Sequence, residues 1–239
     1  MFDRIAGTYD LLNHLLSAGV DILWRRQAVD GLRPASDWRV LDLATGTGDL
    51  GFEVAGRSPG IRVVGVDLSI PMLRRGKAKA ATRPGRMAFL CGGAEHLPFP
   101  DRIFEGITIG FGVRNLADLH AGIREMYRVL CPGGRAAILE FSRPRAFLLR
   151  GLYLFYFKHV LPLVGRIVSR DPLAYRYLYE SAMRFPEGDD FCRHLLDAGF
   201  VDVVERRLTF GIATLYLASK IEQQEGEPFA FGGHAKCRM

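Results

Sequence analysis

A chain of 239 residues, 49% hydrophobic and 24% charged, suits one globular domain with a sizeable core and excludes fibrous and disordered classes. Its formal net charge of +6 admits nucleic acid or an anionic surface as partner, yet the arginines are spread along the chain with no five-residue basic run, as on a solvated surface. The four cysteines (Cys91, Cys131, Cys192, Cys237) lack metal-ligand or disulfide spacing and fit a reducing compartment.

Residues 1–30 carry helical periodicity, with Leu11, Leu12, Leu15 and Leu16 clustering before Ile22, Leu23 and Trp24; a helical cap over 1–35 is predicted ahead of a sheet. The opening Met1-Phe2-Asp3-Arg4-Ile5 has neither the apolar core nor the cleavage pattern of a signal peptide. Strands are predicted at 39–43, 62–66, 87–91, 106–109 and 136–141, alternating with helices at 47–56, 71–81 and 116–130. Pro71 suits a first helical turn. This alternation predicts an α/β fold, a parallel sheet with helices on both faces. Residues 128–134, Arg-Val-Leu-Cys-Pro-Gly-Gly, read as a helix end and a turn, and Cys131 before Pro132 reads as a small turn residue rather than a nucleophile.

An insertion follows at 144–185, strongly apolar over 147–164. Arg150, Lys158, His159 and Pro162 interrupt it, and a charge near mid-bilayer costs ~2.5–3.5 kcal/mol. A membrane span is therefore rejected. A helical lid over an apolar substrate, in peripheral contact with a bilayer, fits better, with plain core packing as the alternative. Strands at 201–207 and 211–219 read as a closing antiparallel pair, which brings the sheet to seven strands. Residues 221–239 turn polar and then glycine-rich, a loose tail after a single domain at 1–220.

Residues 40–49, Val-Leu-Asp-Leu-Ala-Thr-Gly-Thr-Gly-Asp, run from strand into glycine turn, and Val63-Val64-Gly65-Val66-Asp67 ends a second strand on a lone carboxylate. That layout builds a nucleoside pocket, with Asp67 placed to accept both ribose hydroxyls. Gly46-Thr47-Gly48-Asp49-Leu50-Gly51 literally satisfies the dinucleotide fingerprint. Against NAD stand Asp42, Asp49 at the helix start, and the lack of any Arg or Lys within 40–51. A cofactor bearing an ammonium and a sulfonium suits these carboxylates better, which points to S-adenosylmethionine.

The Pro-Gly-Gly lead into strand five and the closing pair resemble the Rossmann-like class I S-adenosylmethionine-dependent methyltransferases. From Met1 to about Lys220 the chain resembles the menaquinone and ubiquinone biosynthesis C-methyltransferases. The motifs are Met1–Ala6 with Tyr9-Asp10, Trp24-Arg25, the glycine loop, Leu97-Pro98-Phe99-Pro100-Asp101, Gly110-Phe111-Gly112-Val113-Arg114-Asn115 and Leu139-Glu140-Phe141-Ser142. The insertion adds Val160-Leu161-Pro162, Ala174-Tyr175-Arg176-Tyr177-Leu178 and Phe185-Pro186. Phe-Gly-Val-Arg-Asn together with the N-terminal motif is the specific part.

The resemblance implies methyl transfer to a ring carbon of a polyprenylated quinol, demethylmenaquinol first, with the analogous benzoquinol of ubiquinone biosynthesis as alternative. Gly46, Thr47, Gly48, Asp67, Gly93 and Ala94 are then the expected cofactor contacts. Gly93 departs from the usual Asn or Asp, which removes a side-chain contact to the adenine amine, and Gly110 stands where some members carry serine. Arg114 is the expected partner of a phenolate oxygen, with a helix cap or an ion pair to a carboxylate as its alternative; Asn115 would bind the second ring oxygen or orient Arg114. Tyr9 and Tyr175 are assigned to the substrate, with plain packing as the alternative for Tyr9; Tyr175 and Tyr177 line or support the insertion. His14, His96, His120, His159 and His194 give no distinct general base.

No metal and no nucleic acid are expected. The Asn/Asp-Pro-Pro-Tyr/Phe motif of base-amine methyltransferases is absent after strand four, as is the Pro-Cys pair of cytosine C5 enzymes. A small-molecule methyltransferase of the same fold and a noncatalytic adapter are the remaining rivals. The expected setting is the cytoplasm or the inner face of its membrane, and homo-oligomer formation is left open.

Overall fold

The computed structural model describes residues 17, 19–83, 85–144, 151, 177 and 180–222. Helix α1 (Val20–Leu32) precedes β1 (Arg39–Leu43), α2 (Asp49–Ala55), β2 (Arg62–Asp67), α3 (Ile70–Ala80), β3 (Arg86–Cys91) and β4 (Phe104–Gly110). A 3-10 turn, Val113–Asn115, leads to α4 (Leu119–Val129) and β5 (Leu130–Phe141). Then come α5 (Asp189–Asp197), β6 (Val201–Leu208) and β7 (Ala213–Ser219).

The strands form one sheet in the order β3-β2-β1-β4-β5-β7-β6. β7 is antiparallel to β5 and to β6, and the remaining pairings are parallel. From β1 the chain winds outward to β3, then crosses to β4 on the other side. That reversal opens a crevice at the carboxyl ends of β1 and β4, where doubly wound sheets bind ligands.

Period-two alternation sends side chains to opposite faces. Leu41, Leu43, Ile107, Ile109 and Ile138 pack under Ile123 and Met126 of α4 and Phe191 and Leu195 of α5. Val40, Val63, Ala137, Leu139 and Leu215 face Trp24, Ala28 and Leu32 of α1 and Leu50 and Val54 of α2. α1 is thus a core helix. A Cβ on Gly31 would stand 2.8 Å from the Leu217 methyls, so glycine permits this close approach to β7.

Two sequence expectations change. The helix expected at 116–130 begins only at Leu119, because Asp118 caps it by accepting the Ala121 N–H at 2.9 Å. The Cys-Pro-Gly-Gly turn lies inside β5 as a bulge, between the Phe104–Leu130 and Gly106–Arg135 pairings. The end of β7 draws it in: Gly133 N–H donates to the Lys220 carbonyl at 3.0 Å, and Lys220 N–H donates to Gly134 at 2.9 Å. The cap before residue 17, most of the 144–185 insertion and the tail beyond 222 lie outside the described residues.

Candidate active site

The β1 strand delivers Asp42 to the α2 face, where it is buried. Its carboxylate accepts hydrogen bonds from the Thr45 hydroxyl, from Thr108 Oγ1 at 2.7 Å and from Gly51 N–H at 3.2 Å. Burial pushes its pKa up to about 6, and the nearby Asp67 charge adds to the rise, while the three donors oppose it. The chain then turns through Ala44, Gly46 and Gly48, all at positive φ. Gly48 caps α2 at φ 87°, where a Cβ would press on Phe52, Met87 and Phe89 at 3.0–3.1 Å.

Asp67 ends β2 and ties the loop down. Its Oδ2 accepts Gly46 N–H and its Oδ1 accepts Ser69 N–H, both at 2.8 Å. Around it lies a crevice of about 220 Å³, lined also by Gly46, Leu68, Gly93, Ala94, Glu95, Gly110, Phe111 and Asn115. A recess of about 40 Å³ shares Ala44, Gly46, Gly110 and Phe111 with it and adds Arg25, Asp42, Thr47 and Asp49. The expected contacts Gly46, Asp67, Gly93, Ala94 and Asn115 therefore meet on one crevice, with Thr47 in the adjoining recess. Gly48 lines neither and acts through the turn. Tyr9 and Tyr175 lie outside the described residues.

The electrostatic case drawn from Asp49 needs correction. Lys79 Nζ sits 2.9 Å from Asp49 and donates to Thr47 Oγ1 at 2.8 Å, and Arg83 reaches Asp49 at 3.5 Å. The cations missing from residues 40–51 arrive from α3 and the turn after it. Asp42 and Asp67 remain the carboxylates that favour a cation. The buried Arg25, paired with Asp21 at 2.7 Å, lines the recess and is another functional candidate that sequence reasoning left unassigned, although Asp21 and Arg25 stand at helical i,i+4 spacing.

Beyond β4, Phe111 adopts φ 56°, donates its N–H to Leu139 at 2.7 Å and stacks on Phe141 at 4.4 Å. Arg114 lies against a second cavity, of about 250 Å³, with Tyr177, Ser181 and Phe185. Its guanidinium forms a buried ion pair with Glu140, donates to the Phe111 carbonyl at 2.8 Å and to Ser181 Oγ at 3.3 Å. Burial raises the Glu140 pKa against the opposing Arg114 charge. Of the two roles weighed for Arg114, this geometry favours the ion pair. Asn115 lines the crevice, its Oδ1 accepting the Tyr177 hydroxyl at 3.1 Å. No histidine lines the crevice among the described residues; His120 and His194 meet edge to face at 4.5 Å. No group of His, Cys, Asp and Glu suited to a metal ion occurs among the described residues.

Comparison with known proteins bears on the family and the fold. The model of the ubiE/COQ5 methyltransferase family matches residues 1–220. A ubiquinone/menaquinone biosynthesis C-methyltransferase of Geobacter sulfurreducens is 48% identical over 223 residues, covering 92% of this chain and 87% of that protein. A demethylmenaquinone methyltransferase of Thermus thermophilus is 46% identical over 220 residues, covering 92% of this chain and 100% of that protein. Among solved structures, a phosphoethanolamine N-methyltransferase of Haemonchus contortus in complex with S-adenosyl-L-methionine superposes with TM-score 0.62 at 15% identity. That match covers 83% of this chain and 52% of the other, and bears on the fold alone.

Proposed function

The chain belongs to the ubiE/COQ5 methyltransferase family, and on that premise we propose that it methylates a ring carbon of demethylmenaquinol, with S-adenosylmethionine as donor. The analogous benzoquinol is the second reading, since the relatives carry both quinone names. The observation that carries the proposal is a single crevice lined by both Asp67 and Asn115.

The residues fit the donor. Asp67 is an acceptor-only carboxylate on the crevice wall, the chemistry a ribose diol needs, and Asp42 places negative charge behind the recess shared with Thr47. When bound, S-adenosylmethionine supplies an electrophilic methyl group on a positively charged sulfur.

The acceptor carbon must be electron-rich, which a hydroquinone is and a quinone is not. Ionising a phenol of intrinsic pKa ~10 pushes charge onto the neighbouring ring carbon, so a donor aimed at that oxygen lowers the barrier. Asn115 is the residue we assign to it, because Tyr177 already occupies its carbonyl oxygen. Arg114 is assigned a positioning role: with Glu140 it holds the Phe111 carbonyl and the Arg114 N–H, the two ends of the turn that presents Asn115. The ring proton lost after methylation is assigned to water, since no histidine lines the crevice among the described residues and the carboxylate of Asp67 is given to the ribose.

A polyprenyl acceptor resides in lipid, which favours a peripheral membrane contact. No described helix is long and apolar enough to cross a bilayer. The test is transfer of labelled methyl from S-adenosylmethionine to demethylmenaquinol, its oxidised quinone and the benzoquinol. Transfer to the reduced naphthoquinol well above the other two supports the proposal. Equal transfer to quinone and quinol contradicts the phenolate chemistry, and preference for the benzoquinol selects the second reading.

A further inference from the structure

Among the described residues, Asp67 and Glu95 are the ionisable ones on the crevice wall, and only Asp67 has a part in the account so far. We propose that Glu95 reads the base of the nucleoside, accepting the exocyclic amine of adenine and rejecting a 6-oxopurine. The proposal rests on the assignment of the crevice to S-adenosylmethionine.

Placement carries it. With a ribose at Asp67 and the amino-acid end in the Asp42–Thr47 recess beside β1, the base has to lie away from β1, toward the loop that follows β3. That loop is Gly92-Gly93-Ala94-Glu95. Glu95 Oε1 accepts the Ala117 N–H at 2.8 Å, which fixes the carboxylate as a bridge between the β3 loop and the segment ahead of α4. The other oxygen, Oε2, lies 3.0 Å from where a Cβ on Gly93 would stand. The absence of a side chain at Gly93 thus leaves room for the Glu95 carboxylate at the crevice wall. Leu68, 72% exposed at the crevice lip, offers an apolar surface for the base plane. A half-buried carboxylate is an acceptor only. It suits the amino group of adenine and repels a carbonyl oxygen.

Isothermal titration of S-adenosylhomocysteine and S-inosylhomocysteine tests this without any turnover. The native chain should prefer the adenosyl ligand by about 10- to 100-fold, the range expected for one hydrogen bond to a charged acceptor. Glu95→Ala should bring the ratio within about 3-fold, and Glu95→Gln, which keeps an acceptor for Ala117 and turns a donor to the base, should shift preference toward the inosyl ligand. Adding Gly93→Asn to Glu95→Ala should restore part of the adenosyl preference, because the clash at Oε2 is gone. An unchanged ratio in both single variants overturns the role of Glu95 and leaves the cofactor reading standing. Failure of the native chain to bind S-adenosylhomocysteine overturns that reading and the proposal with it.

Discussion

An Arg114→Ala substitution removes the guanidinium that faces Glu140 inside the sheet, where the two side chains are 4% and 1% exposed. Glu140 keeps the Phe141 N–H at 2.8 Å but loses its counter-charge. The stranded carboxylate takes up a proton; at pH 7, from an ordinary value near 4.5, that costs about 3 kcal/mol. The lost hydrogen bond to Phe111 adds about 1 kcal/mol, which places the total within the ~3–5 kcal/mol typical of breaking a buried pair. For a domain of this size the melting temperature should fall by about 10 °C. Differential scanning calorimetry measures it, and the loss should shrink toward pH 4.5. Arg114→Met with Glu140→Gln should recover part of it, because no buried charge is left unpaired. Glu140→Gln alone should lower kcat as well, through the Phe111–Asn115 turn. An Arg114→Ala chain that melts within 2 °C of the native one but has lost turnover would refute this reasoning and return Arg114 to the phenolate.

Asp67→Asn should weaken S-adenosylhomocysteine binding by about 10- to 100-fold, since the ribose loses a charged acceptor, and equal dissociation constants by calorimetry would contradict its placement. Asp42 is held at about 6 against an ordinary 3.8, so the folded chain binds more protons between those values. Its contribution to stability is present below pH 3.8 and is lost as pH rises through about 6, to the extent of about 3 kcal/mol. The stability difference between Asp42→Asn and native chains, from urea unfolding, should therefore shift in favour of the variant across that window; a flat difference would contradict the burial. Asn115→Ala should lower kcat by about 10²- to 10³-fold with S-adenosylhomocysteine affinity kept, as for loss of a hydrogen-bond donor to a developing oxyanion.

Much of the sheet was legible because its strands are short apolar runs bounded by glycine, and Asp67 stood out as a lone carboxylate at a strand end. What stayed hidden depends on contacts distant in sequence. Lys79 and Arg83 neutralise Asp49 from some thirty residues away, and no local pattern announces that pairing. Glu140 was readable in principle: an acid within Ala-Ala-Ile-Leu-Glu-Phe requires a buried partner, and Arg114 supplies it. Asp118 ahead of Leu119 is likewise an N-cap signal that would have shortened the expected helix. The Cys-Pro-Gly-Gly bulge could not be read locally, because the Lys220 backbone that draws it into β5 lies at the far end of the domain.

The account turns on a methyl donor seated at the ends of β1 and β2 with the quinol ring beside Asn115. A crystal structure with S-adenosylhomocysteine and demethylmenaquinol measures that directly. It should show the ribose hydroxyls within hydrogen-bond distance of Asp67 and a ring oxygen on the Asn115 amide. A nucleoside found elsewhere, or a ring bound away from Asn115 in an otherwise filled crevice, would contradict it.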